Sequence, residues 1–313
     1  MIGCFHRFLR RLFFMAAAGL LLAGAAQAQA QGGYTQTRYP IMLVHGLFGF
    51  DTTLGMEYFY GIPAALRQGG ARVYVARVSG AHSTEVRGEQ LLAQVKNVLA
   101  LSGAAKVHLI GHSHGGLTAR YVAGVAPQLV ASVTAIAAPN RGSRLADIVR
   151  DATPPGSVQE SMAKGAAEAL VELIGLFSGG KRLPQMPGAA LDSFTTAGAA
   201  DFNRRFPQAL PSGCGPGAEL VDGVRYYSWT GTRLRTHLLD PSDLPLSLLG
   251  RVFDEPNDGL VTACSSRLGT HLGDYPHNHL DQINQLLGLR GWFSVDPVAL
   301  YRQHANRLKL LGL

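Results

Sequence analysis

The twenty residues KVHLIGHSHGGLTARYVAGV, positions 106–125, restrict the fold more than any other part of the chain. A short run rich in Val, Leu and Ile ends at Gly111-His112-Ser113-His114-Gly115, and a helix-like apolar pattern starts at once behind it. The order is strand, tight turn, helix, with a Gly-x-Ser-x-Gly pattern at the turn. In that setting the glycines make room for a strained corner that lifts the Ser113 hydroxyl above the C-terminal edge of a sheet. The helix start behind it points backbone N–H groups and its positive dipole end at incoming negative charge. The five-residue pattern alone is common by chance, and its strand-turn-helix setting makes Ser113 a candidate nucleophile rather than part of a mere glycine-rich turn.

The rest of the chain repeats that alternation. PIMLVHG, ARVYVARV, KVHLIG and ASVTAIAAP read as strands, and EVRGEQLLAQVKNVLA and GGLTARYVAGVA as helices between them. Such an order implies an α/β fold with a mainly parallel central sheet and helices on both faces. With 313 residues, 47% of them hydrophobic and 16% charged, the chain can bury a large core. It has no internal repeat and no long linker, so a single domain over residues 31–313 is expected.

Residues 1–30 read differently. Arg7, Arg10 and Arg11 precede an apolar run over residues 12–26, and small residues allow cleavage after Ala28 or Ala30, which is the form of a secretory signal peptide. The run is short for a membrane anchor, and no later stretch is long and apolar enough to span a bilayer. Cleavage removes three arginines and no acid, so the formal charge falls from +7 to +4, too mild and scattered to argue for nucleic acid. Cys4 leaves as well. The mature chain keeps Cys214 and Cys264, an even pair in an exported protein, where a disulfide can form and persist.

A serine needs a base and the base an orienting acid, in this architecture in the chain order Ser, Asp or Glu, His. His279, in PHNHLDQINQLLGL, stands between a polar loop and an apolar-periodic segment, while His237, His271, His277 and His304 read as surface or locally hydrogen-bonded residues. For the acid, Asp258 on the Asn-Asp-Gly turn of EPNDGLV competes with Asp240 and Asp243 in LDPSD, and spacing leaves that choice open. The loop LVHGLFGF follows the first strand and can turn the backbone N–H of Leu47 toward a carbonyl under attack; the N–H of His114 is the second expected oxyanion donor. A capping box opens at Ser157 and Glu160, after which Met162, Ala166, Leu170, Leu173 and Phe177 recur on one side of a helix. This segment, about 157–179, is either an ordinary packed helix or a lid over Ser113.

Taken together, HGLFGFD, EVRGEQLLAQV, IGHSHGGLTARYVA, YYSWTG, LDPSD, NDGLV, NHLDQINQLLGL and VALYRQHANRLK resemble the secreted triacylglycerol lipases of Pseudomonas and Burkholderia, with the Pseudomonas aeruginosa type the nearest. The resemblance runs from about Tyr34 to the C-terminus. It implies an α/β-hydrolase fold, to which a helical lid at about 157–179 would be added, a triad of Ser113, Asp258 and His279, oxyanion donors at Leu47 and His114, and one disulfide, Cys214 with Cys264. It also implies a structural calcium ion held by Asp240 and Asp281 and by the carbonyls of Gln285 and Leu289; without it these acids read as loop residues on a solvated face. The activity implied is hydrolysis of triacylglycerol at a lipid–water interface, with folding by a dedicated lipase chaperone and export through the periplasm. Oxyanion Leu47 replaces a methionine of some relatives. Two other readings share the fold: a carboxylesterase or polyester hydrolase, since a triad is blind to acyl length, and a catalytically silent binder of apolar ligands.

Overall fold

A computed structural model of the chain describes residues 33–47, 52–53, 56–151, 183 and 185–313. The expected signal peptide and the amphipathic segment 157–179 lie outside the described residues. The main sheet contains β1 (Ile41–Val44), β4 (Val73–Val75), β5 (Val107–His112), β6 (Val130–Ile136), β7 (Leu220–Val221), β8 (Val224–Gly231) and β9 (Thr270–Tyr275), while β2 (Thr52–Thr53) and β3 (Met56–Glu57) form a small antiparallel ribbon. The strand order is β4-β1-β5-β6-β8, and beyond β8 the short β7 pairs with its start and β9 with its remainder. Every main-sheet pairing is parallel except that of β7 with β8.

Parallel strands need crossovers, and the helices supply them on both faces. On β1, Met42 and Val44 point to one side, where Leu91 and Val95 of α2 (Thr84–Ser102) and Val122 of α3 (His114–Val125) pack. Ile41 and Leu43 point to the other, against Ile62 and Leu66 of α1 (Ile62–Gln68) and Tyr301 and Ala305 of the C-terminal helix (Pro297–Leu310). Because both faces are covered, β5 and β6 are buried throughout, which is why they read as near-continuous apolar runs. The loops that build the site leave the carboxyl ends of β1, β5, β6, β8 and β9, the edge where open α/β sheets carry their sites.

Candidate active site

Two glycine contacts set the corner at Ser113. A Cβ at Gly111 would stand 2.1 Å from Gly115 O, and one at Gly115 would stand 2.0 Å from Val44 O, so neither position has room for any side chain. Between them Ser113 takes φ 55° and ψ −126°, a region strongly disfavoured for a residue with a Cβ, and its N–H is tied to Ile136 O of β6 at 2.8 Å. The helix α3 begins at the next residue, so the His114 N–H lies in a first turn that has no intrahelical acceptor.

Ser113 and Leu47 line one apolar pocket with Leu145, Val149, Phe194 and Leu260, about 550 Å³ including its open mouth. Part of the wall comes from α5 (Pro187–Phe194), and another part from α4 (Arg144–Arg150). Behind it, His279 Nδ1 lies 2.8 Å from Asp258 Oδ2, with both residues buried. Asp258 is held by three further donors: Gln282 Nε2 to Oδ2 at 2.9 Å, and the N–H groups of Leu260 and Val261 to Oδ1 at 3.1 and 2.9 Å. The His279 N–H also donates to Asp258 O at 2.9 Å. Among the described residues no hydrogen bond joins Ser113 Oγ to His279; the two are linked through His112, whose ring centroid is 4.5 Å from that of His279. Such bonds commonly tighten only with substrate in place.

The rival acids sit elsewhere. Asp243 accepts from the N–H groups of Thr236 and His237 at 2.7 and 2.9 Å and from Asn278 Nδ2 at 3.0 Å, so it is a buried loop organiser rather than a solvated neighbour. Asp240 accepts from the N–H and hydroxyl of Ser242 at 2.7 and 2.6 Å. Asp281 is different: Oδ2 accepts from Asn278 N–H at 3.2 Å, and Oδ1 is buried without a well-formed hydrogen bond, the Thr236 side chain being the polar group nearby that favours its charged form. Burial, with Asp240 and Asp243 nearby, raises the Asp281 carboxyl to about 7, and burial raises Asp240 as well. A buried carboxylate oxygen without a well-formed hydrogen bond, beside a second acid, suits a hard cation, and oxygen donors are what calcium takes. Among the described residues no three His, Cys, Asp or Glu side chains gather as a metal cluster, so carbonyls such as those of Gln285 and Leu289 would have to complete the set.

Of the other histidines, His277 and His304 are buried: His277 Nε2 donates to Val295 O at 2.7 Å, and His304 Nε2 pairs with Thr134 Oγ1 at 2.7 Å. His271 lies against Asp274 at 2.9 Å. Cys214 and Cys264 form a disulfide with Cα atoms 4.7 Å apart. Sequence reasoning missed Gln282 and also Arg87, a fully buried guanidinium that donates to His45 O at 2.6 Å, to Thr118 Oγ1 at 3.2 Å and to Ser79 O. Arg87 was visible as a lone charge on the apolar face that Leu91 and Val95 continue.

A sheet of this order with a strained serine between its central strand and the next helix is an α/β-hydrolase scaffold, and a family profile described as alpha/beta hydrolase fold matches residues 39–245. The chain is 60% identical over 291 residues to the triacylglycerol lipase of Vibrio cholerae, covering 92% of this chain and 93% of that one. It is 46% identical to the triacylglycerol lipase of Burkholderia plantarii (95% and 93% covered) and 47% to that of Pseudomonas fragi (88% and 98%). The chain belongs to the triacylglycerol lipase family. Solved structures share the fold at lower identity: a Bacillus licheniformis lipase in mature form (TM-score 0.55, 19% identity, 78% of this chain and 86% of that one) and a metagenomic carboxyl esterase (0.60, 18%, 88% and 76%).

Proposed function

We propose that the protein is a secreted lipase that hydrolyses triacylglycerol through an acyl-enzyme on Ser113. The observation that supports this best is the strained serine at the floor of an apolar pocket, backed by a buried His279–Asp258 pair. In this reading His279 Nε2 takes the Ser113 proton as Oγ attacks the ester carbonyl, and Asp258 holds the ring in the required tautomer and stabilises the imidazolium. The N–H groups of Leu47 and His114 receive the oxyanion. His279 then protonates the departing alcohol, and water repeats both steps on the acyl-enzyme.

Asp240 and Asp281, with the carbonyls of Gln285 and Leu289, would hold calcium, whose charge offsets the buried acids and braces the His279 loop. Secretion rests on the composition of residues 1–30, and among the described residues no helix is long and apolar enough to cross a membrane. Control by a lid at about 157–179, and folding by a dedicated lipase chaperone, rest on sequence alone. Ser113→Ala should leave a folded protein whose turnover falls by up to about a million-fold. An organophosphonate ester should label Ser113 in the wild type; labelling elsewhere, or activity of the variant within tenfold of wild type, would sink the assignment. Comparing emulsified long-chain with dissolved short-chain esters separates a lipase from a carboxylesterase on the same fold.

A further inference from the structure

Below the pocket runs a chain of hydrogen bonds that the reaction as described does not use. Gly46 N–H donates to the Tyr58 hydroxyl at 3.0 Å, that hydroxyl lies 2.8 Å from His112 Nδ1, and His112 Nε2 lies 3.0 Å from His279 O. Its two ends settle its direction. A carbonyl can only accept, so His112 must carry its proton on Nε2. The ring is fully buried, and burial, with His279 close by, holds it well below the usual imidazole range, so it is neutral and its Nδ1 is bare. Nδ1 therefore accepts, and the Tyr58 hydroxyl donates to it. The hydroxyl's lone pair is thereby left for Gly46 N–H, and each of these three bonds has one direction.

The elements joined in this way are the ones a hydrolysis must hold in register. Gly46 immediately precedes Leu47, the proposed oxyanion donor; His112 immediately precedes Ser113; His279 is the proposed base. We infer that Tyr58 and His112 are positioning residues which clamp the oxyanion loop and the histidine loop to the nucleophile strand, so that donor, nucleophile and base keep one geometry. The inference rests on the triad reading above. It has a mechanical logic, because the oxyanion loop and the histidine loop leave different strands, β1 and β9, and no sheet pairing joins those two strands. Space around the clamp is tight: a Cβ at Gly46 would stand 2.7 Å from the Tyr58 hydroxyl and 2.8 Å from Ser113 Cβ, so the tyrosine hydroxyl and the nucleophile both close on the same glycine of the oxyanion loop. Placement errors on that scale cost catalysis heavily.

Tyr58→Phe keeps the ring and removes the middle link. Its kcat on a dissolved ester should fall about 10- to 100-fold with KM within about twofold, short of the loss of a whole oxyanion donor. A thionoester supplies a specific readout, because its sulfur is a poor hydrogen-bond acceptor and draws little from an oxyanion hole. The ester-to-thionoester rate ratio should fall in Tyr58→Phe, and His112→Phe should lower it by a similar factor, with the double variant no worse than either single one. In wild type, nitrogen-15 shifts of His112 should report the Nε2–H tautomer with a slowly exchanging proton, and Tyr58→Phe should speed that exchange. Equal losses on ester and thionoester would reduce Tyr58 to a packing residue and overturn the proposal, as would unchanged turnover. If the variants do not fold, the wild-type spectrum still decides, since an Nδ1–H tautomer for His112 contradicts the clamp. Failure of the triad reading is recognised separately, by phosphonate labelling at a residue other than Ser113.

Discussion

Asp258 shows how little a spacing reveals about a carboxylate and how much its donors do. Four hydrogen bonds converge on it, from His279, Gln282, Leu260 and Val261. An amide in its place has only one oxygen, so Asp258→Asn sets its NH₂ against one side's donors. If that side is His279, the ring must turn its bare nitrogen inward and present Nε2–H to Ser113, which then has no base. The expected loss in kcat is about 10,000-fold with the fold retained, and turnover of a dissolved ester on phosphonate-titrated enzyme measures it. A loss under tenfold would move the acid elsewhere. Ser113 was legible because the turn that strains it can be written in few ways. The choice among Asp258, Asp240 and Asp243 was not, because all three lie in polar loops and only tertiary contacts separate them. Gln282 was illegible for the same reason: its role is a bond to a residue 24 positions away.

Among the elements, the strands β1, β5 and β6 and the helices α2 and α3 coincide closely with the sequence periodicities, since burial on both sheet faces or on one helix face writes itself into the pattern. Two segments do not. The helix α5 walls the pocket yet spans two turns with Gly188, Ala189 and Ala190, too short and too small-chained for a period to emerge. After Leu280 the apolar periodicity suggests continuity, but the chain makes a 3-10 turn over Asp281–Ile283 and then passes through positive φ at Asn284, Leu286 and Leu287. The side chains of Asn284 and Gln285 explain the break: they donate to Tyr60 O at 2.9 Å and Glu57 O at 2.6 Å, tying this segment to a distant one instead of prolonging a helix. The disulfide acts at the same scale. Cys264 follows Asp258 by six residues, and its bond to Cys214, 50 positions away in sequence, ties the acid-bearing turn to the segment before β7. Removing both sulfurs with Cys214→Ser and Cys264→Ser should lower unfolding free energy by about 2 to 4 kcal/mol in urea titrations, while the folded fraction keeps its specific activity. Activity lost at unchanged stability would contradict a purely structural bridge.

For the molecule as a whole, the parallel architecture followed from alternation, whereas the meeting of residues 236–243 with 277–289 did not, because that contact is made by loops with no period of their own. It is here that calcium is expected to act. Asp240, Asp243 and Asp281 are brought together beside Asn278, and of the three only Asp281 keeps a buried oxygen without a well-formed hydrogen bond. Without a cation, burial favours a protonated Asp281, as its carboxyl near 7 indicates. With one, the charged form is retained and the loop carrying His279, two residues earlier, is braced against the rest of the domain. Chelator should therefore lower the melting temperature first and activity after it, and stabilisation should grow with free calcium as RT ln(1 + [L]/Kd), about 2.7 kcal/mol at a hundredfold excess over Kd. Two variants separate the ion from the scaffold. Asp281→Ala should abolish the calcium response of the melting temperature. Asp243→Ala strips the acceptor from Thr236, His237 and Asn278, so it should lower stability by a roughly constant amount whether calcium is present or not. Should wild type melt at the same temperature in millimolar-scale calcium and in excess chelator, the carboxylate pair is a protonated structural contact and no cation holds the histidine loop.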